Sequence, residues 1–249
     1  MSRAAAPHPR RRPAAPAGAE DWQSLERVYR AFPSAAKQRS RWRQGAARVD
    51  ARLGAQGHHS LPALVPCLVH ARLATALLAA GWRAKSDLRA HSVLCLGCHA
   101  GLEVRMLRDF GVQDVHGVEI RALVVRESVA EGLVAAADIS VGSFWDWLEA
   151  PASGGRLAWD ATLALAPQDL ALDRLWAAAE PHLAPAGRVV VVAHPPEVGT
   201  PGSEWRSGPA LEGAMRWYAR HRTGSPLGDW PAAGPRLNRA EATGSRTRW

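Results

Sequence analysis

Between Ser92 and Gly101 the chain reads Ser-Val-Leu-Cys-Leu-Gly-Cys-His-Ala-Gly. A short apolar run ends at Gly97, a second glycine follows at Gly101, and a helix-period pattern then begins with Leu102, Met106, Leu107 and Phe110. That order predicts a buried strand, a tight turn and a helix start, where backbone N–H groups can approach a nucleotide-like ligand closely. About twenty residues on, Val115 to Glu119 predicts a second short strand that ends in a carboxylate. A carboxylate offers two acceptor oxygens, which suits a ribose diol with two donors. The same stretch also spells Cys95-x-x-Cys98-His99, the spacing of a haem attachment site or a redox pair. Cys67 and His70 would complete a zinc site if their helix folded against the turn. Cys95 ends a buried strand, no export signal is visible and no thioredoxin-type pattern surrounds the pair, so the glycine turn is the stronger reading. His194, after the last apolar strand, is a candidate general base, although a lone histidine there reads first as a loop residue.

These residues need a frame to hold them. Strands are expected at Val93–Leu96, Val115–Val118, Ile139–Val141, Leu157–Leu165 and Arg188–Ala193. Helices are expected between them at Leu102–Phe110, Arg121–Gly132, Phe144–Glu149 and Gln168–Leu183. Continuous apolar strands such as Val189 to Val192 imply burial on both faces, hence an α/β, doubly wound, mostly parallel sheet. A helix over Leu61–Ala80 ends at Gly81, and a basic helical extension covers residues 21–60. Residues 1–20 read as a disordered basic leader and 61–196 as the α/β domain. Residues 197–249 read as a Gly/Pro/Arg-rich, partly disordered tail with one short helical stretch around Leu211 to Arg220 and no convincing pair of strands.

Charge is distributed unevenly along the chain. Residues 1–52 carry 12 Lys/Arg against 4 Asp/Glu (+8), residues 53–193 carry 11 against 14 (−3), and residues 194–249 carry 8 against 5 (+3). The basicity therefore belongs to the extensions, which fits contact with an anionic partner such as RNA or compositional drift in a tail. Trp22, Tyr29, Trp42, Trp205, Trp217, Tyr218 and Trp230 lie among these arginines and are candidates for stacking on bases or for packing. Three cysteines suit a reducing compartment, and no apolar segment is long and unbroken enough for a membrane span. The expected location is the cytoplasm.

With these motifs in place, residues 61–193 resemble the class I S-adenosylmethionine-dependent methyltransferases. The resemblance implies a Rossmann-like fold, S-adenosylmethionine as cofactor, and a cofactor site at Cys95, Gly97, His99, Gly101, Glu119, Ser143, Phe144 and Ala164. Gly97, His99 and Gly101 fall on the family's three glycine positions, and Cys95 falls on the acid that ends its first strand. Glu119 falls on the acid that holds the ribose. Gly142-Ser143 falls on the Gly-Asp that reaches the adenine, with Phe144 beside the ring. Leu183 to Val189 resembles the turn into the fifth strand. Cys95, His99 and Ser143 depart from the family pattern, so the resemblance supports two readings: a methyltransferase acting on RNA or an RNA-associated protein, or a catalytically degenerate member serving as a binding scaffold. A nicotinamide dehydrogenase fits less well, because its Gly-x-Gly-x-x-Gly would fall on Gly97, His99 and Leu102. Ala164-Leu165-Ala166-Pro167 carries no side chain for an exocyclic amine, and no motif names a catalytic residue, an acceptor atom, a metal or an oligomeric state.

Overall fold

Strands that are apolar on every residue must be covered on both faces, and the valines of the fifth strand are. The computed structural model describes residues 35–58, 65–82, 88–89, 91–150, 158–165, 167, 170–210 and 214–222. The expected leader, the first part of the helical extension and the end of the tail lie outside these residues. Two helices come first, α1 (Ala35–Ala55) and α2 (Pro66–Ala79). Strands and helices then alternate as β1 (Ser92–Leu96), α3 (Leu102–Phe110), β2 (Asp114–Glu119), α4 (Ala122–Ala130), β3 (Ile139–Val141), α5 (Phe144–Glu149), β4 (Trp159–Leu165), α6 (Leu172–Ala179) and β5 (Leu183–Ala193). Two further strands close the fold, β6 (Arg206–Pro209) and β7 (Arg216–His221).

The seven strands form one sheet in the order β3-β2-β1-β4-β5-β7-β6. The first five are parallel, whereas β7 runs antiparallel to both β5 and β6. The helical stretch expected around Leu211 to Arg220 is corrected by this hairpin. Trp217, Tyr218 and Ala219 are all buried, because β7 is an interior strand with a helix layer on each side. The expected turn at Leu183 to Val189 takes the form of an irregularity within β5. Pairing jumps from Trp159↔Leu183 to Ala161↔Arg188, five steps on β5 against two on β4, so three residues leave the register.

Side-chain alternation divides the core into two layers. Val93, Cys95, Leu163, Val190, Val192 and Trp217 face the layer under α1 to α4. Leu94, Leu96, Ala164, Val189, Val191 and Tyr218 face the layer under α5 and α6. The first layer also takes in α1, whose Trp42, Ala46, Val49 and Leu53 form a buried stripe at helical spacing. Trp42 donates its indole N–H to Asp109 at 2.7 Å, and Arg48 and Arg52 pair with Glu131 and Glu127 beside α4. The basic helix is thus part of the folded body. Beneath the glycine turn, β2 passes so close to α3 that a Cβ at Gly117 would sit 2.5 Å from Cys98 Sγ and 2.8 Å from Val104. Only glycine fits there.

Candidate functional site

Parallel strands all end on one side, and β1 and β2 bring their loops together there. Gly97 (φ +61°), His99 (φ +49°) and Gly101 (φ +70°) all adopt left-handed backbone conformations. The repetition curls the chain back so that the Gly101 N–H donates to the Cys98 carbonyl at 2.7 Å. Glycine takes that conformation freely, whereas His99 pays a steric cost. Gly101 caps α3 with no side-chain partner, leaving the first-turn N–H groups turned towards the loop. Space beside Gly97 is open, with nothing within 4 Å of where a Cβ would stand.

Glu119 ends β2 and is only 3% exposed. Its Oε2 accepts the His99 backbone N–H at 2.7 Å. Oε1 accepts the Arg121 backbone N–H at 3.0 Å and the Arg121 Nε–H at 2.9 Å. The carboxylate therefore already braces the glycine turn and carries a charged neighbour. The Gly142 N–H donates to the Glu119 carbonyl at 2.9 Å, which ties the tip of β3 to the same point. Ser143 and Phe144 follow directly. The Ser143 hydroxyl accepts the Trp145 N–H at 3.2 Å and caps α5, and the half-buried Phe144 ring lies 4.8 Å from that of Trp145.

Six of the eight expected site residues are thus assembled around the tips of β1, β2 and β3. Cys95 and Ala164 are not: each side chain is buried in the core, on opposite faces of the sheet. Burial, with Glu103 adding to it, holds the thiols of Cys95 and Cys98 well above the usual range, so neither is poised as a thiolate. Among the described residues no group of three or more His, Cys, Asp or Glu could hold a metal ion. His194 lies exposed beyond β5, its backbone N–H bonded to Glu197 at 3.1 Å.

His99 is 6% exposed, and among the described residues neither of its ring nitrogens has a partner. Burial pushes its pKa down to about 4, with Arg121 adding to the shift and Glu119 opposing it. The imidazole is therefore neutral at physiological pH, with one donor and one acceptor still to satisfy.

Four further residues here were not expected from the sequence. Glu103, in the first turn of α3, is also 6% exposed, and its pKa is pushed up to about 8 by burial and by Glu119, against its own backbone N–H and Arg72. It is a protonated carboxylic acid at neutral pH. Its only sequence signal is its place in the apolar stripe with Met106, Leu107 and Phe110. Arg121 follows Glu119 by two residues and carries no motif. Ile120 is 67% exposed, and Val141, aligned with Glu119 across β2 and β3, is also exposed. These two exposed apolar side chains, one next to Glu119 and one opposite it, offer a surface on which a flat base can lie.

The strand order and the reversed β7 define a Rossmann-like methyltransferase fold. Similar solved structures include the O-methyltransferase TomG of Streptomyces achromogenes, involved in tomaymycin synthesis and solved with S-adenosylmethionine. It is 13% identical with a TM-score of 0.49, over 72% of this chain and 90% of that one. An RNA methyltransferase from Salinibacter ruber, solved with S-adenosyl-L-homocysteine, is 16% identical with a TM-score of 0.43, over 66% and 95%. Human methyltransferase-like protein 13, solved with the same ligand, is 10% identical with a TM-score of 0.45, over 66% and 83%. No protein-family model and no curated protein sequence matches the chain. Among the described residues no helix is long and apolar enough to cross a membrane.

Proposed function

We propose that this protein is an S-adenosylmethionine-dependent methyltransferase acting on RNA or an RNA-associated protein. One observation carries the reading: a buried carboxylate at the tip of β2 is bonded at 2.7 Å to the glycine turn that follows β1. The residues present suit the cofactor's parts. Gly97 leaves open space at the turn, Glu119 offers acceptors for a ribose diol, and Ile120, Val141 and Phe144 supply apolar surface for the adenine. The unsatisfied His99 nitrogens add a donor and an acceptor within the turn. When bound, the sulfonium supplies an electrophilic methyl group. The chain's part is to hold the turn, exclude water from the buried carboxylate and orient the acceptor. The basic α1, fastened to α3 and α4, supports an acidic acceptor such as RNA.

A second reading keeps the fold as a scaffold without catalysis. It is favoured by the three N–H donors on Glu119, which occupy the carboxylate from within the chain, and by the His99 side chain in the turn. Calorimetric titration with S-adenosylmethionine and its demethylated product separates the two. Micromolar binding, lost in Glu119→Ala, supports the enzyme. No binding up to millimolar concentration supports the scaffold.

A further inference from the structure

On the outer side of the same helix layer, α1 crosses α3 and the segment after α4 over a cavity of about 230 Å³. Its lining includes Arg41, Gln44, Arg48 and Arg105, with Trp42 and Leu133 below. Three guanidinium groups thus meet in one concavity. Arg48 spends its Nε–H on Glu131 at 2.8 Å, and Arg105 spends its own on Asp109 at 3.1 Å. Both keep further N–H groups unassigned to a carboxylate. Arg41 has neither an ion pair nor a hydrogen bond among the described residues. The Gln44 amide makes only a long 3.4 Å contact to Ser40.

Structural arginines on this helix show what a fastening role looks like. Arg48 and Arg52 reach acids beside α4 and hold α1 down. Arg41 fastens no described residue, yet it lines the cavity beside two other cations. Glu131 and Asp109 match Arg48 and Arg105, so Arg41 is the charge left over, and an anion beside it offsets the remaining repulsion. The fork of a guanidinium matches phosphate oxygens in pairs, and the cavity is several times the share of one water (~30 Å³). The sequence of this helix carries Lys37, Arg39, Arg41, Arg43, Arg48 and Arg52 and a single acid, Asp50. The cavity also lies near the glycine turn, because the Arg105 backbone N–H closes the first turn of α3 on the Gly101 carbonyl at 3.0 Å.

We propose that this cavity binds a phosphate group, and that the phosphate is one of a single-stranded RNA backbone. Arg41 and Gln44 supply donors that no protein acceptor uses fully, and Arg48 and Arg105 form its walls. The inference deepens the acceptor class proposed above, but it makes no use of the cofactor.

The test uses the full chain, a single-stranded RNA ten nucleotides long, and inorganic phosphate or adenosine monophosphate as small probes. RNA affinity is followed by fluorescence anisotropy across a salt series for wild type, Arg41→Ala and Arg43→Ala. Arg43 is exposed on the same helix but does not line the cavity, so it controls for general charge. Arg41→Ala is expected to weaken RNA binding about three- to tenfold and to lower the salt slope by about 0.7. Arg43→Ala is expected to do less than half as much. Phosphorus NMR of the small probes should show broadening that Arg41→Ala and Gln44→Ala both reduce. Equal effects of Arg41→Ala and Arg43→Ala on RNA, with no effect on the small probes, overturn the site. Dependence on Arg41 for the small probes but not for RNA overturns the assignment to a nucleic-acid backbone. Calorimetry with the demethylated cofactor should be unchanged in Arg41→Ala, so a failure of the cofactor reading registers separately.

Discussion

Two buried carboxyl groups flank the glycine turn, and the fold treats them in opposite ways. Glu119, at the tip of β2, meets three N–H donors within 3.0 Å, one of them from a guanidinium. Glu103, in the first turn of α3, is nearly as buried, but its pKa rises to about 8 because burial and the nearby Glu119 outweigh the groups that favour its charge. Burial alone does not decide whether a carboxyl carries charge; the donors around it do. The consequence is a turn with one carboxyl bonded to three N–H donors and a second whose pKa is pushed up to about 8. His99 adds an imidazole whose pKa is pushed down to about 4.

That contrast is open to attack at each residue, and the largest effect is expected at Glu103. Its folded pKa of about 8 lies above the ordinary carboxyl value of 4.5, so the folded state holds the proton more tightly. Its contribution to stability is fully present below pH 4.5 and lost as pH rises through 8, on the order of 5 kcal/mol across the window. Glu103→Gln is expected to abolish that fall in urea midpoints measured from pH 5 to 9. Persistence of the fall would assign it to another group.

Removing the anion comes next. Glu119→Ala leaves the buried His99 N–H and the Arg121 groups without their acceptor, at a cost of about 3 kcal/mol. Glu119→Gln keeps one acceptor oxygen and is expected to lose about half as much by the same measurement. Equal stability of the alanine variant and wild type would show that the carboxylate does not brace the turn.

The imidazole gives an effect of the opposite sign. His99 has a folded pKa of about 4 against 6.5, so the unfolded chain binds the proton more tightly between those values. Stability therefore rises with pH from 4 to 6.5, by about 3 kcal/mol. His221, also depressed to about 4 by burial and by Arg188 and Arg206, adds in the same direction. From pH 4.5 to 6.5 the two histidines outweigh Glu103, and wild-type stability should rise by about 1.4 kcal/mol per pH unit. His99→Asn should flatten that region, and Glu103→Gln should steepen the rise. Parallel profiles would contradict the assignment.

The smallest effect belongs to Arg121, whose half-exposed guanidinium pairs with Glu119 where solvent screens the contact. Arg121→Ala is expected to change stability by less than about 1 kcal/mol. Because it frees one lone pair of Oε1, it is expected to tighten cofactor binding a few-fold. Weaker binding in titration calorimetry would mean that the guanidinium helps hold the ligand.

Local chemistry made much of this fold legible. α3 and α5 match their expected bounds because Gly101 and Gly111 delimit one and Ser143 caps the other. Gly97, Gly101 and Glu119 could be placed because a left-handed turn and a strand-end acid are short-range features. What could not be read depends on distant partners. β7 carries Arg216 and Arg220 around Trp217-Tyr218-Ala219, and both faces of that centre are buried, so it shows no strand alternation. Only pairing with β5 makes it a strand. Glu103 stands in the apolar stripe of α3, but its raised pKa depends on distant partners, because Arg72 of α2 and Glu119 of β2 act on it through space. Cys95 and Ala164 hold positions along their strands that fit the site, while their side chains pack into the core.

The central claim is that the Glu119 carboxylate and the turn it braces hold an S-adenosylmethionine-type ligand. Its most direct test is calorimetric titration of the full chain with the demethylated cofactor, comparing wild type with Glu119→Gln and Arg121→Ala, each first shown to be folded. Micromolar binding by wild type, weakened at least tenfold by Glu119→Gln and strengthened by Arg121→Ala, is the expected result. Binding indifferent to Glu119, or no heat up to millimolar ligand, would contradict it.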